Sequence, residues 1–192
     1  TDTGGSIRIP ASLCGVVGLK PTFGRVTRRG LLPLSWSLDH AGPLTRTVQD
    51  AALVLQAIAG RDERDPSTAD EPVPDYTAGL RDGVKGLRIG VPENFFFDTL
   101  DPEVETAVRA AISVLAGLGA EVRPVRLPLI EDAPAAVATI MLSEALAYHQ
   151  KWMRERPQDY SDAVRYRLEL GSTYTAVHFV QAQRFRELMI GA

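Results

Sequence analysis

Hydrophobic positions follow two regimes along this chain. Up to residue 46 they are interrupted every few residues by Gly or Pro, which predicts turns and short extended pieces. Thr47 then reads as a helix N-cap, with Asp50 three residues on approximating a capping box. Residues 48–59 (VQDAALVLQAIA) are apolar nearly all round, which predicts a buried helix stopped by Gly60. Residues 61–86 are polar and Pro-rich, a surface loop of unusual length. LRIGV (87–91) reads as a short buried strand. Asp101 and Pro102 open a second helix, with Val104, Val108, Ala111, Ile112, Leu115 and Leu118 as its apolar stripe and Gly119 as its stop. AEVRPVRL (120–127) reads as a strand, with Pro124 marking an edge or a bulge. Strand, helix, strand predicts a parallel, right-handed βαβ unit. Asp132 and Pro134 open a third helix over about 134–155, which Pro157 stops. Shorter helical patterns follow at about 161–169 and 174–190, around Gly171. The fold class is therefore α/β with a helical layer.

Composition adds bounds to this picture. The 192 residues are 45% hydrophobic and 23% charged, the mix of an ordinary globular chain long enough to bury a core. No apolar run approaches the ~20 residues of a membrane span, and no basic-then-apolar leader opens the chain. A cytoplasmic protein fits these features. One cysteine excludes a disulfide framework within the chain, and three scattered histidines argue against a structural zinc site. The net charge of −3 gives no global drive toward nucleic acid. Residues 1–50 carry six basic and three acidic side chains, so the remainder holds −6. The basic cluster of Arg25, Arg28 and Arg29 is a thin footprint for nucleic acid and reads as a solvated or internally paired loop. The chain does not begin with Met, its first residues already form a glycine motif, and its last helical pattern has no cap beyond Gly191. These features predict an internal piece of a longer protein.

The densest chemistry lies in the first eleven residues. Gly4 and Gly5 precede Ser6, and Arg8 and Pro10 follow. Two adjacent glycines let successive backbone N–H groups turn toward one point, where an anion or a developing oxyanion could sit. A serine at the end of that turn has the donors it needs beside it, which suits acyl transfer. The motif is short and Gly-Gly-Ser turns are common. A phosphate cradle lacks both GxxxxGK[ST] and a GxGxxG after a strand. A Ser6–His40–Asp39 triad is disfavoured, because adjacent residues rarely orient so that one carboxylate holds the other's imidazole. Cys14 could serve as a nucleophile but reads as a small buried residue. His149 and His178 read as packing or surface residues on helices. Met141, Tyr148, Trp152 and Met153 read as a core stripe on the third helix. No ligand cluster suggests a metal, and backbone donors already supply the electrophilic help a metal would give. Neither a metal nor an organic cofactor is expected.

The longer strings narrow the reading. DTGGSIRIPA, CGVVGLKPTFGRV, SLDHAGPLTRT and DAALVLQAIAG together resemble the amidase signature family, as do KGLRIGVP and the DPEVETAV helix ending LGAEV. The likeness is strong over 1–130 and looser over 131–192. It implies a mixed sheet covered by helices, only part of it present here: a single amidase domain with its core part at 1–130 and a helical part at 131–192. It implies an amide hydrolase that cleaves carboxylic amides through a serine acyl-enzyme. Ser6 takes the nucleophile position, and the N–H groups of Thr3, Gly4, Gly5 and Ser6 take the oxyanion hole. Asp39 falls in the SLD-x-x-GP piece as site support. Asp2 reads as a brace of the glycine turn, and Arg8 reads as orienting the active-site backbone, with contact to a substrate as its alternative. In the family a neutral lysine takes a proton through a second serine held by a cis peptide bond. Both lie upstream of the motif, outside these residues, so the chain alone is expected to be inactive. Lys20 lies in GLKPT, which the family does not use as its base, and reads as structural; Lys85 and Lys151 read as solvated. Helices after the family's core can border the acyl pocket, a second reading of the aromatic stripe.

The expected partner is a small-molecule amide, with no nucleic acid and no membrane, and a homo-oligomer is left open. The alternative is the glutaminase component of a tRNA-dependent amidotransferase, which shares the motifs of residues 1–60. SEALAYHQKWMRERPQDYSDAVRYRLELG (143–171) looks more like the general amidases. A non-enzymatic anion-binding module is the remaining reading.

Overall fold

Ile7 and Ala11 are four residues apart, the spacing that places two side chains on one helix face. In the computed structural model, which describes residues 1–192, Ala11 is the buried residue of a short helix, α1 (Arg8–Cys14), and buried Ile7 is its N-cap. This helix is an addition to the turns and short extended pieces expected before residue 46. Pro10 falls in its first turn, where a missing N–H breaks no intrahelical bond. Gly15 ends it at φ 63°, in the left-handed region. Seven residues are too few for their periodicity to stand out against so many glycines and prolines.

The residues form two compact units, Thr1–Ala78 with Ala135–Arg184, and Gly79–Pro134 with Phe185–Ala192. In the first, β1 (Val17–Gly18) pairs antiparallel with β2 (Leu44–Thr45). A Cβ on Gly18 would lie 2.5 Å from the Ala11 Cβ and 2.8 Å from the Ile7 carbonyl oxygen, so only glycine lets this strand approach α1. Helix α2 (Val48–Ile58) is capped as expected, with Thr47 Oγ1 accepting from the Asp50 N–H at 3.0 Å. Its burial is not all-round. Ala51, Ala52 and Leu55 are buried, while Val48 and Leu53 stay more than half exposed. Two alanines make the packed face, and close approach on that side leaves the larger side chains on the open one.

The stretch after α2 has no regular element yet is tied down. The Ala69 N–H donates to the Gly24 carbonyl at 2.9 Å. Arg25 donates to Tyr76 Oη, Glu71 O and Pro72 O. Arg28 donates to Ser67 Oγ and the Trp36 carbonyl, with its guanidinium 4.8 Å from the Phe23 ring centroid. Two of the three clustered arginines are thus paired internally. The first unit also carries most of α4 (Ala133–Glu155), then α5 (Asp162–Leu170) and the start of α6 (Ala176–Ile190). These match the three helical patterns of the sequence.

In the second unit β3 (Arg88–Pro92) pairs parallel with β4 (Glu121–Val125), and α3 (Pro102–Gly117) lies between them in sequence. Asp101 caps α3 by accepting from the Glu103 N–H at 2.9 Å. Two expectations change here. The strands are edges of a two-stranded sheet, so β3 is half-exposed rather than buried. No residue of α3 is buried, and Val104 and Leu118 of its apolar stripe are 48% and 61% exposed. A cleft of about 600 Å³ between the helix and the strands is lined by Ile112, Val91 and Val122 among others. No helix is long and apolar enough to cross a membrane.

Candidate active site

Asp2 organises the glycine turn. Its backbone pairs with His40 in an antiparallel bridge, N–H to carbonyl in both directions at 2.9 and 2.8 Å. Its side chain is wholly buried and accepts from the N–H groups of Gly5 (2.9 Å), Ile7 (3.1 Å) and Arg8 (3.4 Å). Arg8 adds a fork, Nε to Oδ2 at 3.1 Å and Nη2 to Oδ1 at 3.0 Å. Burial by itself would raise the Asp2 carboxyl. The Arg8 side chain, the Ile7 and Arg8 N–H groups and the guanidinium charge overcome it and hold the pKa at about 2. Five charge-assisted bonds to one carboxylate fix the path from residue 2 to α1.

Gly5 completes that path at φ 140°, where a Cβ would also meet Ile9 Cδ1 at 2.6 Å. Gly4 has open space on its Cβ side. Ser6 comes next, exposed, two residues before α1 begins. The turn thus presents a serine hydroxyl to solvent beside a short run of backbone donors. Of the four N–H groups assigned to the oxyanion hole, that of Gly5 is already engaged by Asp2 Oδ1.

A second carboxylate holds the other side of the turn. Asp39 Oδ1 accepts from Thr3 Oγ1, and its Oδ2 accepts from the N–H groups of Leu34 (2.9 Å) and Ser35 (3.0 Å). Asp2, Arg8 and Asp39, all read from the sequence as support, therefore gather around the turn. His40 does not form a triad with them. Its Nδ1 lies 2.6 Å from the Leu38 carbonyl, its ring meets Phe23 edge-on, and Asp39 is occupied by the turn. Burial lowers the His40 pKa, with the Lys20 charge adding to the effect and the Leu38 carbonyl opposing it. Lys20 Nζ donates to the Pro21 carbonyl at 3.0 Å. Burial and the nearby Arg8 charge lower its pKa, and Asp2 opposes them.

Cys14 is exposed, not buried, because it is the last residue of α1 and the chain turns away at Gly15. His149 donates or accepts at Tyr160 Oη (2.9 Å), and Tyr148 and Trp152 pack at 5.4 Å between ring centroids, in half-buried positions on α4. Reasoning from sequence missed Ser35 and Glu144. Ser35 is wholly buried and donates its hydroxyl to Glu144 Oε2 at 2.5 Å. An acidic residue inside the otherwise uncharged α4 stretch ATIMLSEALA was the available signal.

An α/β chain with an exposed serine on a carboxylate-braced glycine turn defines the class of site. Residues 1–191 match the family model described as Amidase, and the chain belongs to that family. It is 58% identical over 190 residues to an amidase from Pseudomonas putida, covering 98% of this chain and 41% of that protein. It is 43% identical over 213 residues to a subunit of the glutamyl-tRNA(Gln) amidotransferase of Geobacter sp. (strain M21), covering 98% and 44%. A solved chain from an inhibitor-bound vestigial complex, which bears on the evolutionary origins of an s-triazine catabolic enzyme, superposes with a TM-score of 0.91. The two share 40% identity over 98% of this chain and 40% of that one. The chain spans about two fifths of the length of these relatives.

Proposed function

We propose that this chain carries the nucleophile part of a serine amide hydrolase, with Ser6 attacking a carboxylic amide to form an acyl-enzyme. The observation that carries this reading is the Asp2-braced turn, which leaves Ser6 exposed beside the Thr3, Gly4 and Ser6 N–H groups. Those donors stabilise the charge that develops on the carbonyl oxygen during attack. The proton of Ser6 goes to a base outside residues 1–192, which the family resemblance gives as a lysine acting through a second serine. Lys20, held by the Pro21 carbonyl, is a structural neighbour in this scheme. Free amides are the substrate class, supported by the higher identity to the Pseudomonas putida amidase than to the amidotransferase relatives.

The whole protein, assayed alone, is expected to hydrolyse small carboxylic amides with no added tRNA or second protein component. Copurification with a second component, and rapid glutaminase activity only with tRNA, would favour the amidotransferase reading instead. Residues 1–192 by themselves are expected to give no turnover, because a serine hydroxyl is a weak nucleophile without an adjacent base. Turnover by that piece, abolished by Ser6→Ala, would show that a base within it suffices.

A further inference from the structure

We infer that Glu144 is a positioning residue for the acyl-transfer turn, acting from α4 through Ser35 and Asp39 on Thr3. The inference rests on the reading of Ser6 as the nucleophile. Glu144 is 3% exposed, and its Oε2 accepts from Ser35 Oγ at 2.5 Å and from the Ser37 N–H at 3.1 Å. The N–H of the same Ser35 donates to Asp39 Oδ2, and the other oxygen of Asp39 accepts from Thr3 Oγ1. Thr3 is the residue before Gly4 and supplies one of the N–H groups left for the oxyanion. Glu144 therefore reaches the turn through one residue and one carboxylate, every link a hydrogen bond to a carboxylate oxygen.

The loop between these two carboxylates is closed on itself. The Leu38 and Asp39 N–H groups both donate to the Ser35 carbonyl, at 2.9 and 2.7 Å. Ser35 thus has its hydroxyl on Glu144, its N–H on Asp39 and its carbonyl inside the turn. Such a residue moves with whatever holds it.

Packing alone does not call for a carboxylate here. Ile140 and Ala145 on the same helix are 1% and 0% exposed, and an apolar residue between them would add burial without desolvating a charge. What Glu144 adds is direction. It accepts from two donors two residues apart in one loop, which fixes the position of that loop against α4. A displacement of the Thr3 N–H by even a fraction of an ångström would weaken the donor geometry at the reacting carbonyl.

The test uses the whole protein. Glu144→Ala is expected to lower kcat by roughly ten- to a hundredfold with KM changed by less than about threefold, since the lost contact matters in the transition state. Glu144→Gln, which keeps an acceptor oxygen for both donors, should restore most of that loss. Amide hydrogen exchange at Gly5, whose N–H is held by Asp2, should quicken in Glu144→Ala and stay near wild type in Glu144→Gln. The exchange readout needs no turnover. Absence of amide hydrolysis by the wild type would remove the reading of Ser6, whereas unchanged exchange at Gly5 would remove Glu144. Should Glu144→Ala fail to fold, Ser35→Ala deletes only the hydroxyl link and serves the same comparison. A folded variant with a lower Tm but unchanged kcat, KM and exchange would show a structural role only and overturn the inference.

Discussion

Ser6→Ala in the whole protein is expected to cut amide turnover by roughly 10⁴- to 10⁶-fold with little change in KM. In the proposed reaction the substitution deletes the atom that forms the acyl bond. It leaves Asp2, Arg8 and the backbone donors in place, so substrate still binds and the oxyanion hole still acts on attacking water. That residual catalysis sets the floor of the effect. Ser6 is exposed and caps nothing, so stability should move by no more than about 0.5 kcal/mol. A variant as stable as wild type yet inactive separates chemistry from folding. A second substitution at the proton acceptor should then cost little more, because nucleophile and base act as a unit. Loss of activity by less than tenfold would place the nucleophile elsewhere, with exposed Cys14 the next candidate.

The second large effect belongs to Asp2. Asp2→Asn should lower kcat by roughly 10²- to 10³-fold and stability by about 2–4 kcal/mol. The neutral amide loses the charge that pairs with Arg8, and its NH₂ faces donors that need an acceptor. The turn that sets Gly5, Ser6 and the start of α1 then keeps only the His40 backbone bridge and the Thr3–Asp39 bond. The pH dependence follows from the depressed pKa. Asp2 is held at about 2, below its ordinary 3.8. Its contribution is therefore fully present above about pH 4 and is lost as pH falls toward 2. Arg8 is half-exposed and screened, so this titrating part of the stability is about 1–2 kcal/mol. The Tm gap between wild type and Asp2→Asn should be constant from pH 7 to 5 and narrow between pH 4 and 2. A gap unchanged at pH 2 would mean that the carboxylate charge does not hold the turn.

Much of this site was legible in the sequence because it is local. Asp2, Gly4, Gly5, Ser6 and Arg8 lie within seven consecutive positions, so one short string carries the turn once the longer strings give the resemblance. Thr47, Asp101 and Pro134 likewise announced their helices through caps and first-turn residues, which act over three or four positions. Asp39 entered through the SLD-x-x-GP resemblance, without its bond to Thr3 being visible. The link from Ser35 to Glu144 spans 109 positions, and no local pattern reports such a contact. The burial of α2 and β3 was overestimated for a related reason. An apolar stripe shows that a face seeks cover, whereas the partner and its reach are set by tertiary packing. The sheet of two strands beside α3 covers little of it. The short α1 was hidden because Gly and Pro dominate its surroundings and one buried pair, Ile7 and Ala11, is a weak periodic signal.

The nucleophile is tested most directly by covalent labelling of the whole protein. Incubation with a fluorophosphonate, followed by proteolysis and peptide mass spectrometry, should place a single adduct on Ser6. Prior incubation with a slow amide substrate should protect it. An adduct on Cys14 or on another serine, with Ser6 unmodified in an active preparation, would contradict the central claim that this turn presents the acyl-forming hydroxyl.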